Sequence, residues 1–194
     1  MRIEQARQVY SAQIKEYREQ QLLLTKQKQE LEQQMRLNPD HAKAFEQEAA
    51  TLELTIQAVN EKQDEYKDYM EKLMEQRTAM ANMVVAKQQG EAMEDYVEDL
   101  GKIMEVARRL MKGDIVPPTD EKKLMDYSME MYQAAKNMGT MIKNQERKEH
   151  KSLWEDEEEP EPLEDPMEVA DNSEVFAEGP AIESVADVMA AAVE

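Results

Sequence analysis

The sequence predicts an all-α protein: elongated antiparallel coiled-coil helical hairpins, about four helices in all, followed by a disordered acidic C-terminal tail. Three observations predict it. Apolar residues recur at seven-residue spacing over long stretches. Helix breakers are scarce, with 5 Gly and 7 Pro in 194 residues. Acidic charge is concentrated at one end of the chain. Abundant Ala, Glu, Lys, Gln, Leu and Met favour helix, because unbranched side chains lose little rotamer freedom there. With only 2 Phe and 1 Trp, narrow cores between paired helices are expected in place of a large globular one.

The first helix is expected from about Arg2 to Leu37. Ile3, Tyr10, Tyr17, Leu24 and Leu31 are spaced by seven, which keeps one stripe on one side for pairing with another helix. Ile14 and Met35 support a second stripe, which turns polar at Gln21 and Lys28. Asn38-Pro39-Asp40 reads as the tip of a hairpin. Pro39 disfavours continuation of the first helix and suits the first position of the next, with Asn38 as its cap.

The second helix has the cleanest pattern. Phe45, Ala49, Leu52, Ile56, Val59, Gln63, Tyr66, Met70, Leu73, Arg77, Met80 and Val84 alternate four-three spacing without a break. Gln63 and Arg77 are polar at seam positions, where such residues either fix register at a stability cost or sit at loosely packed points. After Gly90 the phase shifts, and Met93, Val97, Leu100, Met104, Ala107 and Met111 resume the spacing. The helix either bends near Gly90 or breaks there, and Lys112-Gly113 ends it with Gly113 as a left-handed cap. Thr119 is expected to cap the last helix, whose apolar face is Leu124, Ser128, Met131, Ala135, Met138 and Ile142, running to about His150.

The expected domains are an N-terminal hairpin over 1–89, a Met-rich hairpin over 90–151 and a disordered acidic tail over 152–194. From Ser152 onward there are 15 acids and no Lys or Arg, whereas the preceding residues hold 28 acids and 24 bases, so the tail carries most of the net charge of −19. Such a tail repels nucleic acid and anionic lipid. Ile182, Val185, Ala186, Met189 and Val193 fall on one helical face and suit a short terminal helix formed on binding; the plainer reading is a frayed tail.

No chemistry-bearing constellation stands out, and the chain is not expected to be an enzyme. There is no cysteine, which excludes disulfides, thiolate metal sites and cysteine nucleophiles. His41 and His150 read as exposed residues at helix ends. The residues three before them are Asn38 and Arg147, so the Glu-x-x-His pairs of a bundle-type metal site are missing. Phosphate-cradling glycine loops are absent. No cofactor or metal is expected. No secretory signal or membrane-length apolar stretch is visible, so the expected compartment is the cytoplasm, without membrane or nucleic-acid partners.

What remains is protein–protein contact. Twelve of the 16 Met fall between Met70 and Met141. Met74, Met83, Met125 and Met129 lie beside the main stripe and widen the apolar face, leaving room for another helix or a second copy. Met-rich surfaces accept varied partners, although an ordinary soft core explains them equally simply. Leu153 and Trp154, next to the acidic run, suit a short binding motif or close the end of the last hairpin. The basic clusters Arg108-Arg109-Lys112 and Lys143-Arg147-Lys148-Lys151 compensate helix ends or dock the acidic tail. The expected function is an adaptor, scaffold or assembly factor; the alternative is a holdase or secretion-type chaperone that shields an apolar partner helix in a Met-rich groove.

Overall fold

The computed structural model describes residues 1–37, 42–142, 147–157 and 162–193. Its helices are α1 (Ile3–Leu37), α2 (Ala42–Met111), α3 (Pro118–Tyr127), α4 (Met129–Met141), α5 (Pro166–Asn172) and α6 (Val185–Ala191). Among the described residues there is no strand, only isolated bridges at Arg2–Glu174 and Ile115–Glu149. The expected cap at Asn38-Pro39-Asp40, His41, and Lys143 of the second basic cluster lie outside the described residues. The chain divides into two compact units, Met1–Val84 with Glu164–Glu194, and Val85–Leu163.

In the first unit the seven-residue stripe becomes the core. Ile3, Tyr10, Tyr17, Leu24 and Leu31 are all buried on α1, and Val59, Gln63, Tyr66 and Leu73 are buried on α2. Contacts pair Tyr10 with Tyr69, Tyr17 with Tyr66 and Lys28 with Glu53, so the two helices run in opposite directions. Each fully buried Leu or Val on this seam contributes about 1.5–3 kcal/mol through removal of apolar surface from water. The two polar seam residues have definite partners. Gln63 Nε2 donates to the Ile14 carbonyl at 3.2 Å, which satisfies a buried amide and pins the register. Arg77 pairs with Asp171.

That last pairing departs from the sequence expectation. Residues 164–193 do not form a structureless tail over the end of the chain; they pack within the first unit. Ile3 N donates to the Ser173 carbonyl at 2.9 Å and Val175 N to the Met1 carbonyl at 3.0 Å. The division into compact units falls after Val84, and the first unit takes in 164–194 together with the N-terminal hairpin. Acidic composition argues for self-repulsion, but it averages over residues whose individual acids meet cations and whose backbone groups find donors.

In the second unit, Val106, Ala107 and Leu110 of α2 form a core with Val116, Leu124 and Ala135. α2 is continuous through Gly90 and Gly101. It ends as expected: Gly113 adopts φ 79°, the left-handed conformation that favours glycine, and Asp114 N donates back to Arg109 O at 3.1 Å. Gly139 of α4 lies against this turn so closely that a Cβ there would stand 2.1 Å from the Leu110 carbonyl oxygen.

Three expectations for the last helix are corrected. Thr119 is not its cap; Pro117 holds that position without a side-chain bond, and Pro118 opens α3. The helix does not run unbroken to His150. Ser128, expected on its apolar face, is extended at φ −158° and ψ 107°, and its hydroxyl accepts from Met131 N to start α4, which ends at Met141. A serine oxygen competes with helix backbone acceptors and favours capping over mid-helix positions. His150 is not free at a helix end: its Nε2 sits 3.0 Å from Asp114 Oδ2. That contact and the backbone bond to Lys148 hold the Asp114 carboxyl below its ordinary range.

Candidate functional site, a tyrosine-lined groove in the first unit

Tyr10 and Tyr17 project from α1 two helical turns apart, and Tyr66 and Tyr69 from α2 one turn apart. Their rings form a contiguous cluster, with centroids at 4.7 Å for Tyr10–Tyr69, 5.6 Å for Tyr10–Tyr66 and 5.4 Å for Tyr17–Tyr66. Edge-to-face arrangement suits aromatic quadrupoles. The rings fill the seam, and the hydroxyls leave it on one side, where the chain from Ser173 to Met189 lies.

All four hydroxyls donate to main-chain carbonyls of that segment. Tyr69 reaches Ala177 at 2.9 Å, Tyr10 reaches Pro180 at 2.8 Å, Tyr66 reaches Ala181 at 3.0 Å and Tyr17 reaches Glu183 at 3.0 Å. The Tyr66 hydroxyl also accepts from Glu183 N at 3.0 Å. Gln76 adds a two-sided grip, donating to the Glu174 carbonyl at 2.8 Å and accepting from Phe176 N at 3.2 Å. The groove therefore satisfies the backbone of an extended segment that makes no secondary structure of its own. Gly179 fits because it lacks a side chain: a Cβ would stand 2.1 Å from the Tyr10 hydroxyl and 2.6 Å from the Tyr69 ring.

Charge and apolar anchors fix the two ends. Upstream, Arg77 grips Asp171 with both Nε and Nη2, at 2.5 and 2.6 Å, and Arg7 adds a contact at 3.2 Å. The Arg77 hydrogen bonds hold the Asp171 carboxyl below the usual carboxylate range. Midway, Lys62 pairs with Glu183 at 2.7 Å and Glu65 at 2.9 Å. Burial pulls its ammonium down, yet these bonds outweigh it and raise the group overall. Burial raises Tyr10, Tyr17 and Tyr69 above the ordinary phenol value, so the hydroxyls remain donors at neutral pH. Downstream, Ser184 caps α6 and Val185 and Val188 join the hairpin core. Beyond Met189 the cleft between α1 and α2 continues as a cavity of about 760 Å³ whose walls include Leu24, Leu31, Leu52 and Thr55.

The sequence-predicted interaction residues divide between the two units. Met74 and Met83 belong to the first unit and Met125 and Met129 to the second. Met74, Met83 and Met129 are exposed and Met125 is half-buried. Leu153 and Trp154 pack on the second core. Trp154 Nε1 donates to Asp99 at 2.6 Å, and the Lys123 ammonium lies 4.1 Å above its ring. The fully buried Asp120 accepts from the Ser152 hydroxyl at 2.6 Å and from Leu153 N at 2.9 Å.

Sequence reasoning placed Tyr10, Tyr17 and Tyr66 on the seam but assigned their hydroxyls nothing; a buried tyrosine needs a polar partner, and that was the available signal. Nothing local in the sequence marks Asp120 as a buried acceptor. Among the described residues no group of three or more His, Asp or Glu is placed to hold a metal, and no helix is long and apolar enough to cross a membrane. Compared with protein-family models, characterised proteins and solved structures, the chain matches none.

Proposed function

We propose that the protein is a non-enzymatic coiled-coil interaction protein of the cytoplasm, an adaptor, scaffold or assembly factor that works through protein–protein contacts. The observation that carries this reading is an uncovered apolar stripe on α2. Met93, Val97 and Met104 are 63%, 59% and 43% exposed, and Leu100 between them is half-buried. Their four-three-four spacing is that of a helix–helix seam, and an exposed apolar row of this kind marks a contact surface. The same stripe continues into Ala107 and Met111, which the chain covers with its own residues. A photoreactive residue at Val97 is expected to give a discrete protein adduct in the native cell, whereas one at Gln89 is not. Equal or absent labelling at both positions would count against the reading.

A second reading is a holdase or secretion-type chaperone. It draws on α4, where Met129, Met138 and Met141 are exposed, and adaptable thioether side chains suit varied apolar clients. Dose-dependent suppression of client aggregation, lost on replacing these Met with Gln, separates it from a fixed scaffold.

A further inference from the structure

We infer that the cleft between α1 and α2 is a binding site for an extended peptide segment followed by an amphipathic helix, and that residues 173–189 are its resident ligand, displaceable by a partner segment with a longer helix. The inference rests on the interaction-protein reading but concerns a different surface from the α2 stripe, so the two fail separately.

Four features of the groove support it. The tyrosine hydroxyls and Gln76 read main-chain carbonyls and two amides, not side chains. Such recognition fits any segment with the right backbone path and a glycine at the Gly179 position. The walls have a seam of their own, with Leu24, Val59 and Leu73 buried between α1 and α2. The resident is a modest ligand: α6 has seven residues, and Phe176, the largest apolar side chain of the segment, is 80% exposed. Finally, the cleft is longer than its occupant. Past Met189 it continues as a cavity lined by half-buried Leu52 and Met189 together with Gln27, Gln47 and Thr51, so a helix continuing beyond the resident's end would meet mixed apolar and polar wall that α6 leaves uncovered.

The chemistry of the partner follows. It carries a Gly at the crossing of Tyr10 and Tyr69, an acid opposite Lys62, and a helix with apolar residues three and four apart that exceeds two turns. Acids upstream meet Arg7 and Arg77, as Asp171 does.

The test uses the full chain and a fluorescent peptide of residues 173–193. Gly179→Val places side-chain atoms on the Tyr10 hydroxyl and expels the resident. The variant is expected to bind the peptide at least tenfold more tightly than the natural chain, whose groove is filled. A peptide lengthened by two Leu-containing helical turns is expected to bind the natural chain as well, releasing residues 173–189 to amide exchange. Adding Tyr66→Phe to Gly179→Val is expected to weaken binding severalfold. Should Gly179→Val lose helix content, Val185→Asp, which places a charge in the hairpin core, serves as the second vacating variant with the same expectation. Binding to neither chain, equal binding to both, or indifference to Tyr66→Phe would overturn the inference. Peptide-induced dimers would identify the partner as a second copy of this chain, by the same contacts.

Discussion

The two units hold downstream chain by opposite chemistry. In the first, neutral donors on the helices reach out to carbonyls: four tyrosine hydroxyls grip the main chain between Ala177 and Glu183. In the second, one buried acceptor does the gathering, as Asp120 receives the Ser152 hydroxyl and the Leu153 amide. Loss of a hydroxyl from the first leaves a carbonyl that water reaches or a neighbour partly satisfies. Loss of the carboxylate from the second leaves two half-buried donors, the Ser152 hydroxyl and the Leu153 amide, without their shared acceptor. A distributed grip suits a segment that exchanges; a concentrated one suits a permanent closure.

The largest effects should come from the cores that the two grips serve. Leu73→Ala in the first unit and Leu124→Ala in the second each remove a buried side chain and should cost about 2–5 kcal/mol. Amide exchange distinguishes them: Leu73→Ala should lower protection at Glu183 and Val188, and Leu124→Ala around Leu153. If either mutation loosened both places equally, the division into two units would be wrong.

Next comes the concentrated grip. Asp120→Ala should cost about 1–3 kcal/mol, because two half-buried donors lose their shared acceptor, and the emission of Trp154 should shift toward that of a solvated indole. Gly139→Ala should be comparable, since its Cβ would meet the Leu110 carbonyl and overpacking against backbone costs about 1–3 kcal/mol. Smaller changes are expected in the distributed grip. Tyr66→Phe should cost about 1–2 kcal/mol and Tyr10→Phe about 1 kcal/mol, read as faster exchange over 177–189 with unchanged total helicity. A Tyr→Phe loss as large as that of Asp120→Ala would erase the contrast between the units.

pH sharpens the same contrast. Asp171 is depressed in the folded chain, so the stability it lends is present above the unfolded value and disappears as pH falls through the folded one. Docking of residues 165–175 should therefore hold at neutral pH and loosen only below about pH 4. Tyr10, Tyr17 and Tyr69 are raised, and the sign is reversed. Their contribution is complete below about pH 10 and is lost as pH rises through the folded values, so alkaline release of 177–183 should coincide with delayed tyrosinate absorbance. The smallest effect belongs to the uncovered stripe. Met93→Asp, at an exposed position of the stripe, should change stability by no more than about 0.5 kcal/mol while abolishing the adduct formed from a photoreactive residue at Val97.

Much of the helical frame was legible because it depends on periodicity. Every seven-residue stripe position from Ile3 to Leu31 is buried, and Gly113 ends α2 where a left-handed residue was expected. The groove was not legible, because it depends on pairings between residues roughly a hundred or more positions apart. Composition gave the segment after Ser152 the character of an acidic coil, and nothing local indicates that Asp171 faces Arg77 or that Gly179 lies under two tyrosine rings. Ser128 was misread for a related reason: its spacing fits the apolar face, and only its hydroxyl, as a cap, breaks the helix. Trp154 was singled out as an anchor residue, and its indole is engaged within its own unit.

The most direct measurement is residue-resolved amide exchange on the full chain near neutral pH. Val175 N, bonded to Met1 O, and Glu183 N, bonded to the Tyr66 hydroxyl, should exchange far more slowly than a free peptide of the same sequence, and Tyr66→Phe should release Glu183 first. Exchange of both amides at the free-peptide rate would contradict the groove and everything inferred from it.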